Sequence, residues 1–476
     1  MNHYLEPLDS AFVLLEVPGS AMNIGAVIEL EFGEVAHPKI RYELIRRNIA
    51  ERLHEIPVLT QRIVRAPFDL NWPILIKDRR FDLDKHVLRV AIPAPGTADQ
   101  FDALISDFLS RPLVRSRPLW QLLIIEGLAD GHAAIALKVH HALADGVSGA
   151  ETFAGLFDIS PDVRPPAIVE ADESTEAVTS SLGLLIDSLR QVRKQPSLAL
   201  TSVRSWAGRL YEIARALWRV AVRRGRKQST PGQPSMFEAK RTSLNGAPGI
   251  EKQYHRLRLP LADVKRAAKA RGVTVTDFVM ATASGALGRL LADRGETLKK
   301  DLIAVVPINI RGDGASSELG NRLSGMLVAL HTDIADAEAR LKAIAKDSAM
   351  TVGFQREDGA RVLHSIPRVL GPTLLSIGGR IISAFGLFDR LPPIANVLVS
   401  SVPGPPIPLW LSGHRVASAA PVGPLFASLS LNITVLGIGD SLEFGLLGCA
   451  ERMPDLATLR DYVREEAESL ISSTPL

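Results

Sequence analysis

Along the first 160 residues the apolar positions follow two different periods. Ile24 to Phe32 and Trp120 to Gly127 read as strands, whereas Lys39 to Glu55 and Gln100 to Ser110 carry helical spacing. Ala129, Asp130 and Gly131 make a turn signal, so Ala133 to Val139 is expected to fold back on Trp120 to Gly127 as a hairpin. Val147 to Phe157 reads as the next helix. Farther on, Thr276 and Asp277 in VTVTDFVMATASGALGRLL are suited to opening a helix, because their side chains satisfy free amide donors. The longest uncharged stretch, Val416 to Gly439, is broken by Pro421, Gly423 and Pro424. It therefore predicts short strands and turns, not a membrane span.

A polar segment divides this pattern. Pro161, Pro165 and Pro166 open it and the STPGQPS run from Ser229 to Ser235 closes it, placing domains at 1–160 and 245–476 with a connector at 161–244. Inside the connector Trp206, Leu210, Ile213, Leu217 and Val220 share one helical face, and Arg204, Arg209, Arg215, Arg219, Arg223 and Arg226 fall on the other. A basic amphipathic helix over 204–227 suits the surface of an anionic membrane or lipid droplet. The alternative is an interdomain helix packed on its own protein with a solvated basic face.

Charge sharpens this picture. Eleven Lys and Arg lie between Arg190 and Lys227 against one acid, Glu212, although the whole chain carries only +3. The remainder is acidic and offers no base-reading motif, so no nucleic-acid partner is expected. With 476 residues, 46% hydrophobic and 22% charged, the chain is long enough for two large domains and has the balance of a globular protein, not of a disordered or polytopic one. A single cysteine, Cys449, excludes a disulfide framework and a thiolate zinc cluster. Glu6 and Asp9 stand where a secretory signal needs a basic start and an apolar run, so a cytoplasmic location is expected.

The predicted strand at Ala133 delivers the most informative residues: His140, His141, Ala142, Leu143, Ala144, Asp145 and Gly146. Neighbours on an extended chain face opposite sides, which argues against the two histidines sharing a metal, and no other ligand cluster has suitable spacing. Gly146, Val147, Ser148, Gly149 and Ala150 lack the spacing of a serine nucleophile elbow.

The order H-H-x-x-x-D-G, closing a strand, resembles the signature of acyltransferases with the chloramphenicol acetyltransferase-like fold, including peptide synthetase condensation domains. Further segments narrow the resemblance: PLDSAFVLLEVPGSAMNIGAV from Pro7, Pro118-Leu119-Trp120, NRLSGMLVALHTD from Asn321, NVLVSSVPGP from Asn396, and LNITVLGIGDSLEFGL from Leu431. Together they are similar to the bacterial wax ester synthase/diacylglycerol acyltransferase family over residues 5 to 465. Two positions differ from the family pattern: Thr276 precedes Asp277 where Asn is usual, and Ser401 replaces the Asn of SNVPGP.

The resemblance implies an α/β fold of two acetyltransferase-like domains around a central cleft or tunnel. It implies acyl transfer from acyl-coenzyme A to diacylglycerol or a fatty alcohol, without a bound cofactor or metal, by a protein peripheral on the inner membrane or on lipid droplets. His141 would be the general base and His140 its packed neighbour; Asp145 would pair with Arg311 to brace the site, and Gly146 would allow a tight turn. Trp120, Asn309, Asn321 and Asn432 are the candidates for substrate contacts. The rival readings are a catalytically silent lipid-binding scaffold and an acyltransferase with another lipid acceptor.

Overall fold

The computed structural model of the chain describes residues 3–31, 38–129, 132–143, 155–162, 234, 238–309, 323–354, 360–405, 407–426 and 428–474. The first half gives β1 (His3–Tyr4), α1 (Pro7–Leu14), β2 (Asn23–Glu31), α2 (Pro38–Arg52), β3 (Gln61–Val64), β4 (Ile74–Lys77) and β5 (Val87–Ala91). It continues with α3 (Ala98–Ser110), β6 (Trp120–Glu126) and β7 (Ala133–His140). The second half opens with β8 (Lys252–Pro260), α4 (Leu261–Ala270), α5 (Val275–Asp293), β9 (Ile303–Asn309), β10 (Leu323–Ala329) and α6 (Ala337–Phe354). There follow α7 (Ala360–Ala384), α8 (Leu387–Arg390), β11 (Val397–Pro403) and β12 (Trp410–Leu411). The chain ends with β13 (His414–Val422), β14 (Leu431–Ile438), β15 (Ser441–Cys449) and α9 (Leu456–Ser472). The strands and helices expected up to Val139 fall close to these bounds. Of the helix expected at Val147 to Phe157, residues 147–154 lie outside the described residues and Gly155 to Phe157 form a turn. The basic helix of 204–227 also lies outside them.

Two six-stranded sheets organise the molecule, in the orders β12-β13-β2-β7-β6-β5 and β10-β9-β11-β14-β15-β8, with a small third sheet β1-β4-β3. In the first, β6 and β7 form the expected antiparallel hairpin, with Trp120 opposite Val139. That sheet is not built from the first half alone. β13 pairs antiparallel with β2, from Arg415 opposite Glu31 to Val422 opposite Gly25, so residues 410–422 complete a sheet that begins near the N-terminus. A division at 160 and 245 thus separates stretches of sequence but not the two sheets.

β7 is buried at every position because both of its faces are covered. Ile135, Leu137 and Val139 pack in a core with Ile45 and Ile49 of α2, while Ala134 and Ala136 face Phe101, Ile105 and Phe108 of α3. That partition is the two-residue period of a strand made visible. In the second sheet, α5 runs through the core, and its N-terminus is held by a reciprocal box in which Thr274 and Asp277 each bond the other's backbone N–H. The cap is Thr274, two residues before the expected Thr276, because the box requires a spacing of three.

The two sheets are joined by α3. Its Ser110 and Ser106 hydroxyls accept the N–H groups of Lys252 and Tyr254 at 2.8 and 3.0 Å, satisfying the free edge of β8. Glu29 of β2 pairs with Arg256 and Arg258 of β8, and Arg258 also reaches Glu443 of β15. The Arg256 guanidinium lies over the Phe101 ring at 4.4 Å.

Candidate active site

The strand pairing of β7 ends at His140, which lies opposite Asn23 of β2 and donates its backbone N–H to Leu119 at 2.9 Å. His141 begins a short 3-10 turn, His141–Leu143, and its N–H donates to the Met22 carbonyl at 2.6 Å. The backbone is therefore fixed on both sides, by the residue that precedes β6 and by the residue that precedes β2. The rings meet different surroundings, as two successive residues leaving a strand should. His140 is 2% exposed, and its Nδ1 accepts the Ala142 N–H at 3.1 Å. That bond assigns the ring proton of neutral His140 to Nε2, which lies 3.4 Å from Glu16 Oε2. Glu16 in turn forms an ion pair with Arg115. The His141 ring, partly exposed, tilts 37° across the Phe12 ring of α1 at 4.3 Å.

Burial, reinforced by the nearby Arg115 guanidinium, pushes the His140 pKa down to about 3. Burial and the neighbouring His140 push His141 down to about 4, against a smaller opposing pull from its own backbone carbonyl. Both rings are neutral at physiological pH, so His141 is in the form that can accept a proton. Four buried side-chain atoms at this corner, Glu16 Oε2, Asn23 Nδ2, His140 Nε2 and His141 Nδ1, lack a hydrogen-bond partner, although Glu16 is ion-paired with Arg115. Buried polar atoms in native proteins are nearly always paired, so the cluster makes this corner a candidate site.

Asp145, Gly146, Arg311 and Asn321 lie outside the described residues. Asn309 is the last residue of β9, opposite Leu323. Trp120 does not line an opening: it is 1% exposed, donates its indole N–H to the Leu59 carbonyl at 2.7 Å and stacks on His86. Asn432 is likewise fully buried, donating to the Pro424 carbonyl at 2.9 Å and accepting from Thr434 at 2.6 Å. Asn396, another asparagine of the family-like strands, is consumed by Ile303, Lys240 and Asn245. In this structure both side chains, Trp120 and Asn432, make framework bonds inside the core.

The tertiary fold also gathers a trio absent from any sequence spacing: Asp301, His331 and Asp333 bring potential ligand atoms within 4.8 Å. Their bonds are used locally, for Asp301 accepts from His331 N, Thr332 N and Thr332 Oγ1, and His331 Nε2 meets Asp347 at 2.8 Å. Phe12, Glu16, Asn23 and Arg115 are the residues that sequence reasoning did not assign. Glu16 carried a signal, as the one charged side chain between Ser10 and Glu29.

The paired α/β sheets share their fold with condensation domains of known structure. The first condensation domain of the calcium-dependent antibiotic synthetase superposes with a TM-score of 0.56 at 16% identity, over 100% of this chain and 97% of that one. The wax ester synthase/diacylglycerol acyltransferase from Marinobacter aquaeolei VT8 superposes with a TM-score of 0.70 at 24% identity, over 99% and 100%. In sequence, residues 5–279 match the wax ester synthase/diacylglycerol acyltransferase catalytic domain and residues 319–470 the C-terminal domain of that family. A probable diacylglycerol O-acyltransferase of Mycobacterium tuberculosis is 31% identical over 99% of this chain and 96% of its own length. The chain belongs to the wax ester synthase/diacylglycerol acyltransferase family, and it is an acyltransferase.

Proposed function

We propose that this enzyme moves a long-chain acyl group from acyl-coenzyme A to the free hydroxyl of a diacylglycerol, with fatty alcohol as a second acceptor and His141 as general base. The observation that carries this reading is a neutral, partly exposed His141 beside unspent polar atoms, in a chain of this family. In this reading the proton of the neutral ring sits on Nδ1, which leaves the Nε2 lone pair for the substrate. As the acceptor oxygen attacks the thioester carbonyl, Nε2 takes the hydroxyl proton. When the carbon–sulfur bond breaks, the imidazolium returns that proton to the departing thiolate, so no acyl-enzyme forms. Asn23 Nδ2, buried and without an acceptor, is a candidate donor to the developing oxyanion. In this reading Asp145 and Arg311 brace the turn after His141, and Asn309 and Asn321 remain candidates for substrate contacts. Incubation of purified enzyme with labelled palmitoyl-coenzyme A and, in parallel, diacylglycerol or hexadecanol tests the assignment. Labelled triacylglycerol supports it, whereas label found only in wax ester reverses the acceptor order, and label in neither product ends the reading.

Work on a lipid surface is supported by an apolar face on the outside of α7. Ile377 and Ile381 on α7, and Phe385 just past its end, recur at steps of four and are 45%, 47% and 62% exposed. Beside them Phe68, 83% exposed, projects from a turn with φ 57°, and Thr373 ties α7 to that turn through Asp69. Arg65 and Arg380 share the one carboxylate of Asp69, leaving positive charge at the rim. A basic rim around an apolar face suits an anionic lipid surface, as does the 204–227 segment. Among the described residues no helix is long and apolar enough to cross a membrane. Flotation with anionic vesicles should be weakened by Phe68→Ser with Ile381→Ser even in high salt, and unchanged flotation would exclude the α7 face.

A further inference from the structure

The environment of His140 poses a problem that the family chemistry does not answer. An imidazole that is 2% exposed sits 3.4 Å from a carboxylate, and a lone carboxylate at that distance favours imidazolium. A charged His140 would oppose the charge that His141 must take up during transfer. We infer that Arg115 and Glu16 form a positioning pair whose charges cancel beside His140, holding its ring in one orientation and keeping it neutral so that His141 alone accepts the proton.

The geometry supplies each part. The Ala142 N–H donates to Nδ1 of His140, which fixes the ring at the start of the turn that carries His141 and leaves Nε2–H beside Glu16 Oε2, 3.4 Å away without a hydrogen bond. Glu16, with a side chain 14% exposed, is held in turn by Arg115 from the segment between α3 and β6. The other described groups facing His140 do not supply a compensating charge. Asn23 across the strand pair is neutral, and His141 is itself uncharged. Lys138, two residues back on the same strand face, directs its Nζ to the carbonyls of Phe108 and Arg111 at 2.6 and 2.7 Å. The cancellation therefore depends on Arg115. The depressed His140 pKa agrees with it, since burial and then Arg115 lower that value.

This inference rests on His141 being the base, and the experiment separates the two. The pH dependence of kcat/KM is measured for the wild type, Arg115→Gln, Glu16→Gln and the double variant, with a thermal melt at each pH to exclude unfolding. The wild type should keep its activity below pH 6. In Arg115→Gln the unmasked carboxylate should raise the His140 pKa, so the acid limb should move up by one pH unit or more and appear in kcat as well as kcat/KM. The double variant, with both charges gone, should return the limb to its wild-type position. Glu16→Gln keeps a polar group of the same shape beside His140 and should retain far more activity than Glu16→Ala. An Arg115→Gln limb that does not move, or a loss uniform across pH that the double variant does not restore, would overturn the inference. A His141→Ala variant that remains active would instead remove the base assignment beneath it.

Discussion

At the end of β7 and at the start of β11 the chain buries polar side chains in comparable depth, yet it treats them in opposite ways. Asn396, ahead of β11, accepts from Ile303 and donates to Lys240 and Asn245, while Asn245 donates onward to the Ala395 and Ser428 carbonyls. Those bonds tie the segment before β11 to the start of β9 and to the loops at Lys240, Asn245 and Ser428. At the end of β7, by contrast, Asn23 Nδ2, His140 Nε2 and His141 Nδ1 lack a hydrogen bond. A satisfied buried network rigidifies a fold, whereas an unsatisfied one costs stability and persists where a ligand completes it. The first corner holds the scaffold, and the second is the one proposed to meet a substrate.

That contrast predicts opposite profiles for substitutions at the two corners. His141→Ala should lower acyl transfer by about 10²- to 10⁴-fold while changing the melting temperature little, because it removes general-base assistance. His140→Ala should cost less, and equal losses would merge the two roles. Asn396→Ala should behave in reverse, destabilising by about 2–4 kcal/mol through the buried partners it leaves unpaired while the folded fraction keeps its specific activity. A denaturation midpoint like that of the wild type would break the comparison at its scaffold end.

Acid should act on the site corner. His140 and His141 titrate near 3 and 4 in the folded protein, below the value near 6.5 of an unfolded chain, so below about pH 6.5 the unfolded state binds more protons. Their contribution to stability is therefore complete above that pH and is lost as pH falls toward the folded values. Each histidine should account for about 2 kcal/mol between pH 6.5 and 5. Urea melts across that range check this, and replacing both histidines with Gln should flatten the slope. The smallest expected effect is at the α5 cap, where Thr274→Ala should cost about 1 kcal/mol and leave turnover unchanged. Loss of turnover at constant stability would mean that the α5 N-terminus serves the site.

The sequence alone determined the elements whose signal is local. A hairpin announced by Ala129-Asp130-Gly131 and alternating apolar residues formed as expected, as did the strands within Val416 to Gly439, because periodicity and turn chemistry act within a few residues. The histidine pair was legible for the same reason, since strand geometry alone turns successive residues to different surroundings. What only the tertiary structure decided depends on distance along the chain. Residues 415–422 join β2, nearly 400 positions earlier, through register contacts that no local pattern specifies. Trp120 and Asn432 look like ligand contacts in a motif, yet each is committed to a carbonyl that folding brings to it, at Leu59 and Pro424. Glu16 and Arg115 are about 100 positions apart and meet at His140 only when α1, β6 and β7 are assembled. A side chain's type limits which bonds it can make, and the packing of remote segments decides which bonds remain for a substrate.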